Sequence, residues 1–284
     1  RLENFRQRYG DKALYTDAKE MLRKERLDIV AIATNVVGRA DLTCLAVACG
    51  AKGIMTEKPM VHRLDEADRM VKTCAEARVP LCGGSVCTTH PSFAKAKELV
   101  KGGAIGNLLS IVAPGPQAQD QQWTFFLDSS PAWVVGTGDL PRRESGSDEF
   151  QGEGMLACDD GLVVHFRRGV PRLHLMGSTG EMCFSFRPSW WKLWQDLDTL
   201  AGKQRVEVPW PGPQMVEPYG GIYALADILD CLAGELDEPK NSGRRVAMAH
   251  EVEVALKQSS AQGGTHVALP LEDRSLGLHY DWFR

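Results

Sequence analysis

Apolar and polar residues fall in blocks along the first ninety positions, and the blocks follow two different periods. Residues 2–9 (LENFRQRY) and 18–27 (AKEMLRKERL) carry charge at helical spacing. Residues 28–34 (DIVAIAT) form instead a short apolar run rich in β-branched side chains. A helical pattern follows at 39–50 (RADLTCLAVACG), with Gly50 as its stop. The alternation then repeats. An apolar run at 51–57 (AKGIMTE) precedes an amphipathic helix over 64–79, with Leu64, Ala67, Met70, Val71, Cys74 and Ala75 on its apolar face, and a third run occupies 80–86 (PLCGGSV). Strands without polar alternation, each followed by a helix, predict a parallel sheet covered on both faces, a doubly wound α/β unit. Ligands of such sheets bind beyond the carboxyl ends of the strands. Here those ends are Thr34-Asn35, Glu57-Lys58-Pro59 and Gly84-Ser85-Val86.

Past His90-Pro91 the texture changes. One more helix, 92–106, ends in glycines, and from 108–114 onward the runs are strand-like and punctuated by turns. The stretches 132–138, 154–168, 170–186 and 205–211 carry turn signals such as Asp160-Gly161 and Thr179-Gly180, and predict a large antiparallel sheet. Helices are expected at 221–234 and 244–262, a closing strand at 266–271, and a loop at 139–151.

Composition narrows the function classes. With 43% hydrophobic and 25% charged residues, the 284-residue chain has the profile of a soluble globular protein with substantial cores. A net charge of -4 gives no electrostatic footprint for nucleic acid or an anionic membrane, and no apolar run approaches the roughly 20 residues that span a bilayer. Arg1–Gly10 lacks the apolar core of a secretion signal. The eight cysteines show neither C-x-x-C nor zinc-ligand spacing, so reduced, buried thiols in a cytoplasmic protein without a metal are expected.

An α/β half, then a strand-rich half, with Glu57-Lys58-Pro59 closing a strand, resembles the glucose–fructose oxidoreductase and inositol dehydrogenase family, Gfo/Idh/MocA. The resemblance covers residues 1–112 and, more loosely, 150–271. It is carried by 14–34, 50–60, 64–81 and 90–111 in that order. It implies a Rossmann-like domain over 1–88, incomplete at its start, that holds NAD or NADP. It implies an α+β domain over 89–284, whose sheet covers the nicotinamide with its open face and pairs subunits into a homodimer or homotetramer. The family's reactions oxidise a sugar or cyclitol hydroxyl, or reduce the matching ketone. By position, Lys58 corresponds to the lysine at the reacting carbon, Glu57 and Pro59 to its motif neighbours, and Ala33, Thr34 and Asn35 to the loop along the cofactor.

The chemistry of Ile54–Met60 (IMTEKPM) can be argued on its own terms. Moving hydride from a carbinol to nicotinamide requires the hydroxyl proton to leave. An ammonium near a positive ring and partly out of water loses its proton more readily, so it can bond the substrate oxygen and shuttle that proton. Glu57 would hold the lysine or tune its charge, and Pro59 ends the ladder so that Lys58 projects beyond it. A bare Glu-Lys pair at a strand end is otherwise a solvated ion pair.

The sequence departs from the family in two places. No G-x-G-x-x-G follows a strand and opens a helix; the nearest match, Gly152–Ala157, lies in the strand-rich half and reads as hairpin entry. The resemblance therefore implies a start after the first strand, glycine loop, first helix and second strand, with the residue that separates NAD from NADP also missing. Between Pro116 and Trp133 no D-x-x-x-H constellation occurs. Both departures favour an alternative: an inactive or truncated relative that keeps the fold for binding or assembly.

Four further features stand out. His90, before a proline at a domain junction, is either a substrate contact or a helix-entry residue. His165 contacts substrate only if its strand register turns it inward. The cluster Trp190-Trp191-Lys192-Leu193-Trp194 is expected to cover the sheet or a subunit interface rather than stack on sugar, with Trp190 and Trp194 on different faces. Arg167-Arg168 and Arg244-Arg245 read as solvated charges at element ends.

Overall fold

Short β-branched runs and charged helices give the first layer. In this computed structural model all residues are described except 1, 11, 85, 118–120, 140–145, 170–172, 187–188, 213–220 and 282–284; the side chains of 86–87, 185–186 and 189 also lie outside the description. Helices α1 (Leu2–Tyr9) and α2 (Ala18–Glu25) open the chain, and Asp17 caps α2 by accepting from the Glu20 N–H at 2.8 Å. Then come β1 (Ile29–Ile32), α3 (Arg39–Ala48), β2 (Gly53–Thr56), α4 (Leu64–Glu76) and β3 (Leu81–Cys82). The three strands are parallel in the order β1-β2-β3, with Ile29 opposite Gly53 and Ile54 opposite Leu81. Gly50 follows α3 at φ 92, a left-handed conformation that favours glycine, as its place as a helix stop requires. Leu22, Val30, Ile32, Ile54 and Met70 bury together as the core of this layer.

Helix α5 (Pro91–Lys101) leads into the second sheet: β4 (Leu108–Ala113), β5 (Pro131–Thr137), β6 (Glu153–Cys158), β7 (Val163–Phe166), β8 (Leu173–Gly177), β9 (Gly180–Phe186), β10 (Ser189–Thr199), β11 (Gly202–Val208) and β12 (Val267–Ala268). Their order is β11-β10-β9-β8-β4-β7-β6-β5-β12. The expected antiparallel sheet is in fact mixed, because β4 pairs with β7 in parallel and with β8 in antiparallel fashion. A strand entered from a helix and placed centrally has no hairpin to dictate its direction. The pattern Gly152–Ala157 falls at the start of β6. There a Cβ on Gly152 would stand 2.2 Å from the Thr137 carbonyl oxygen, so close packing accounts for this glycine. Between Pro116 and Trp133 the chain forms a 3-10 helix, Gln121–Phe126, that sends Trp123, Phe125 and Phe126 into the core; residues 118–120 of that stretch, like 140–145 of the expected loop, lie outside the description.

Helices α6 (Gly221–Ala233) and α7 (Gly243–Ala261) tie the layers together. Ala224 and Ile228 of α6 pack on Cys82, Ile29 and Met55, so the C-terminal half of the chain returns to cover the first sheet. Helix α7 lies against α4 on one side and β5 on the other. Gly136 lets it approach, since a Cβ there would stand 2.4 Å from the Leu256 carbonyl oxygen. The α7 face of the large sheet is buried through Ile111, Val134, Leu156, Val164 and Phe166, while Val112, Met155 and His165 alternate onto an open, half-exposed face. No described helix is long and apolar enough to cross a membrane.

Two readings of the sequence are corrected here. Strand periodicity puts Trp190 and Trp194 on one face, both half-buried, while Trp191 turns the other way and stacks against Phe184 and Trp210 at centroid distances of 4.2 and 5.1 Å. Arg245 is not a solvated charge. Its guanidinium lies 5.4 Å above the Phe125 ring and pairs with Glu238 at 2.9 Å, because a flat, weakly hydrated cation packs on an aromatic face.

Candidate active site

Strands β1 and β2 end side by side, and their ends form the floor of the site. The Glu57 N–H donates to the Ile32 carbonyl at 2.9 Å, extending the ladder one step beyond β2. The chain then turns at a cis Lys58–Pro59 peptide. Glu57 is exposed, Lys58 half-buried, and Pro59 and Met60 buried. The Glu57 carboxylate accepts from the Lys58 main-chain N–H at 2.7 Å, so it braces the backbone of the turn that carries the amine. Beside it, Ala33, Thr34 and Asn35 are all exposed. The Asn35 side chain accepts from the Val37 N–H at 3.3 Å and shapes that loop into a turn. The structure thus brings Ala33, Thr34, Asn35, Glu57, Lys58 and Pro59 together.

Beneath both loops lies a residue that sequence reasoning passed over. Arg39, the first residue of α3, is 0% exposed. Its Nε donates to the Thr34 carbonyl at 3.1 Å, a terminal nitrogen donates to the same oxygen, and the other terminal nitrogen donates to the carbonyls of Glu57 and Pro59. Burial holds its pKa below the ordinary arginine range, with the Glu57 charge opposing that shift.

The third strand end adds polar groups. The Gly83 N–H donates to the Asn241 carbonyl at 3.0 Å, the Asn241 side chain donates to the Gly83 carbonyl, and the Gln121 amide donates to the Asn241 side-chain oxygen at 2.8 Å. Gly83 leaves no room for a side chain, as a Cβ would stand 2.7 Å from Met60 Sδ. Thr56 Oγ1 and Gln121 Oε1 are buried and find no hydrogen-bond partner among the described residues. Buried oxygens of this kind suit a polar ligand or water.

The two candidate histidines differ in placement. His90 is 3% exposed and caps α5, its Nδ1 accepting from the Ser92 N–H at 3.1 Å, with the Tyr223 ring edge-on at 5.0 Å. Burial, then Lys240, lowers its pKa, which suits a neutral cap. This is the helix-entry placement. His165 pairs with Met155 and Val112 on the open face, turned away from α7 and from the Pro59 turn packed beside α7. The structure does not bring His165 to Lys58, and the open face is not the one that adjoins the strand ends.

Behind the turn is a small cavity of ≈ 10 Å³, lined by Pro59, Met60, Gln121, His250, Glu253 and Tyr280. A space of that size holds about one water molecule. Burial pushes the Glu253 carboxyl up to about 8, and burial pulls His250 down to about 4.

Comparison with known proteins agrees with this geometry. Residues 1–84 match the family model described as the GFO_IDH_MocA oxidoreductase family with an NAD-binding Rossmann fold. A D-apiose dehydrogenase of Paraburkholderia graminis is 36% identical over 106 residues, which cover 37% of this chain and 28% of that protein. A myo-inositol 2-dehydrogenase of Thermotoga maritima is 29% identical over 118 residues, 41% of this chain and 35% of its own length. These matches thus span about a third of the curated relatives' length. A levoglucosan dehydrogenase solved with NADH and levoglucosan shares the fold at a TM-score of 0.74, with 16% identity, 95% of this chain and 87% of that chain covered. Residues 1–84, with their parallel sheet and the Glu57-Lys58-Pro59 turn, thus match the model of the GFO_IDH_MocA oxidoreductase family, described as an NAD-binding Rossmann fold.

Proposed function

We propose that the protein transfers hydride between NAD or NADP and a sugar- or cyclitol-like hydroxyl or ketone, with Lys58 as its proton-handling residue. One observation carries the reading: a half-buried amine stands at the carboxyl end of the central strand of a parallel sheet, on a turn braced by Glu57 and Arg39. That is where ligands of such sheets bind. The residues present suit the nicotinamide end of the cofactor. The exposed Ala33–Asn35 loop flanks the turn, and the Thr56 and Gln121 oxygens have unused acceptor capacity. When bound, the nicotinamide supplies or accepts the hydride. Lys58 holds the substrate oxygen and takes or returns its proton. Glu57 and Pro59 fix the direction of the lysine stem. The sugar-like substrate is supported by the relatives, which act on apiose and myo-inositol.

The same reading assigns 1–88 to cofactor binding and 89–284 to substrate binding and assembly. It also places the protein in the cytoplasm, consistent with seven free thiols among the described cysteines. The open face of the large sheet, with Met176 exposed and Trp190 and Trp194 half-buried, would pair subunits into a homodimer or homotetramer. A second reading, a relative that keeps the fold for binding or assembly without turnover, is favoured by the nearest match to a G-x-G-x-x-G, Gly152–Ala157, falling at the start of β6. Turnover decides between them. Wild type should reduce NAD with one of a panel of sugars and cyclitols, and Lys58→Ala should lose at least a hundredfold in kcat while still binding NADH. Unchanged turnover in Lys58→Ala would remove the lysine from the mechanism.

A further inference from the structure

We propose that Arg39 is a positioning residue that locks the Thr34-Asn35 loop and the Glu57-Lys58-Pro59 turn into one unit. The floor of the crevice then keeps its shape, or loses it, as a whole. Only the consequence for NADH binding rests on the functional reading above; the lock is a property of the chain itself.

The placement of Arg39 is unfavourable on two counts. A cation at a helix N-terminus opposes the helix dipole, and a fully buried cation loses its hydration. Both costs persist only where the guanidinium N–H groups are taken up locally, and main-chain carbonyls take them up. The acceptors lie five, eighteen and twenty residues away in sequence, at Thr34, Glu57 and Pro59. Two of them flank Lys58 directly. The third closes the loop on the neighbouring strand.

These carbonyls stand where two parallel strands run out, so the ladder no longer holds them. A planar fork with five donors reaches all three at once, whereas an ammonium is a single point on a flexible stem. Losing the fork therefore frees both loops together and leaves Lys58 on an unheld turn. Gly38, at φ 87, gives α3 no side-chain cap at this end.

Hydrogen exchange read by mass spectrometry on the whole chain tests the lock without any cofactor. In both Arg39→Lys and Arg39→Ala, amides within 33–37 and 57–62 should exchange at least tenfold faster together, while β5 and β6 keep wild-type protection. Millimolar guanidinium chloride should restore both segments in Arg39→Ala, filling the place of the lost fork, and do nothing for Arg39→Lys. A residue that merely fills space would show no such rescue. Arg39→Lys, which keeps charge and nearly all the volume, carries the test if Arg39→Ala does not fold. Faster exchange in one segment alone, or in neither, would overturn the lock, and so would a failure of guanidinium to act on both. NADH fluorescence on the same samples separates the two claims. Wild type that binds NADH at least tenfold more tightly than Arg39→Lys supports the coupling to the crevice, and equal affinities refute it. If wild type binds no NADH, the functional reading falls while the exchange data still decide the lock.

Discussion

Glu253 sits on α7 at 1% exposure, with one carboxyl oxygen accepting from the Phe150 N–H at 2.9 Å. Burial raises its pKa from 4.5 to about 8, with Glu149 and Asp148 adding to the shift and Lys257 and the Phe150 hydrogen bond opposing it. The folded chain therefore keeps a proton that the unfolded chain releases. The stability this contributes is complete below about pH 4.5 and is lost as pH rises through about 8. His250, in the same cavity wall, runs the other way. Lowered from 6.5 to about 4 by burial, with the His62 and Arg274 charges adding, it contributes stability present above 6.5 and lost as pH falls through about 4. Above pH 6.5 the Glu253 slope stands alone. Glu253→Gln, which keeps an acceptor for Phe150, should flatten thermal stability between pH 6.5 and 8.5 and gain on the order of 1–3 kcal/mol at the alkaline end. A variant that declines as steeply as wild type would show that Glu253 is ionised when folded. At this scale legibility was uneven. Lys58 could be read because Pro59 marks a strand end locally, but Arg39 could not. Its partners are carbonyls, which have no sequence signature, and an arginine opening a helix looks like any solvated charge. Glu253 was invisible for the same reason, since burial of one face of α7 on two layers depends on contacts far along the chain.

Helix α7 joins the layers, and its fit depends on glycines in the strands it crosses. Gly136 is the sharpest case, because the nearest atom to an added Cβ is the α7 backbone at Leu256 and not a side chain that can swing away. Gly136→Ala should therefore force α7 off β5 and cost about 1–3 kcal/mol in chemical denaturation. Stability equal to wild type would mean that the helix slides without penalty. Ser259 supports the same contact by accepting from the Gly136 N–H at 2.8 Å. Most helices and strands were legible from periodicity, α3 and α4 almost to the residue. The parallel pairing of β4 with β7 was not, because strand direction is set by the whole chain path and not by the alternation within either strand. The return of α6 to the first sheet was hidden likewise, as the alternation of its apolar residues does not say which sheet they meet.

Across the whole molecule the two sheets are linked through α6 and α7, and the large sheet keeps one face open. That face carries Trp190 and Trp194 half-buried and Met176 exposed, so pairing through it would remove apolar surface from water. Sedimentation velocity at micromolar concentration should show a dimer or tetramer that Met176→Glu shifts toward monomer; a monomeric wild type would refute the pairing. The proposed function requires that the crevice at the ends of β1 and β2 hold a nicotinamide cofactor above Lys58. Fluorescence titration of NADH into the purified protein tests it most directly. Saturable binding with a Kd below a millimolar, competed by NAD, is expected, whereas no saturation at millimolar NADH would contradict cofactor binding there.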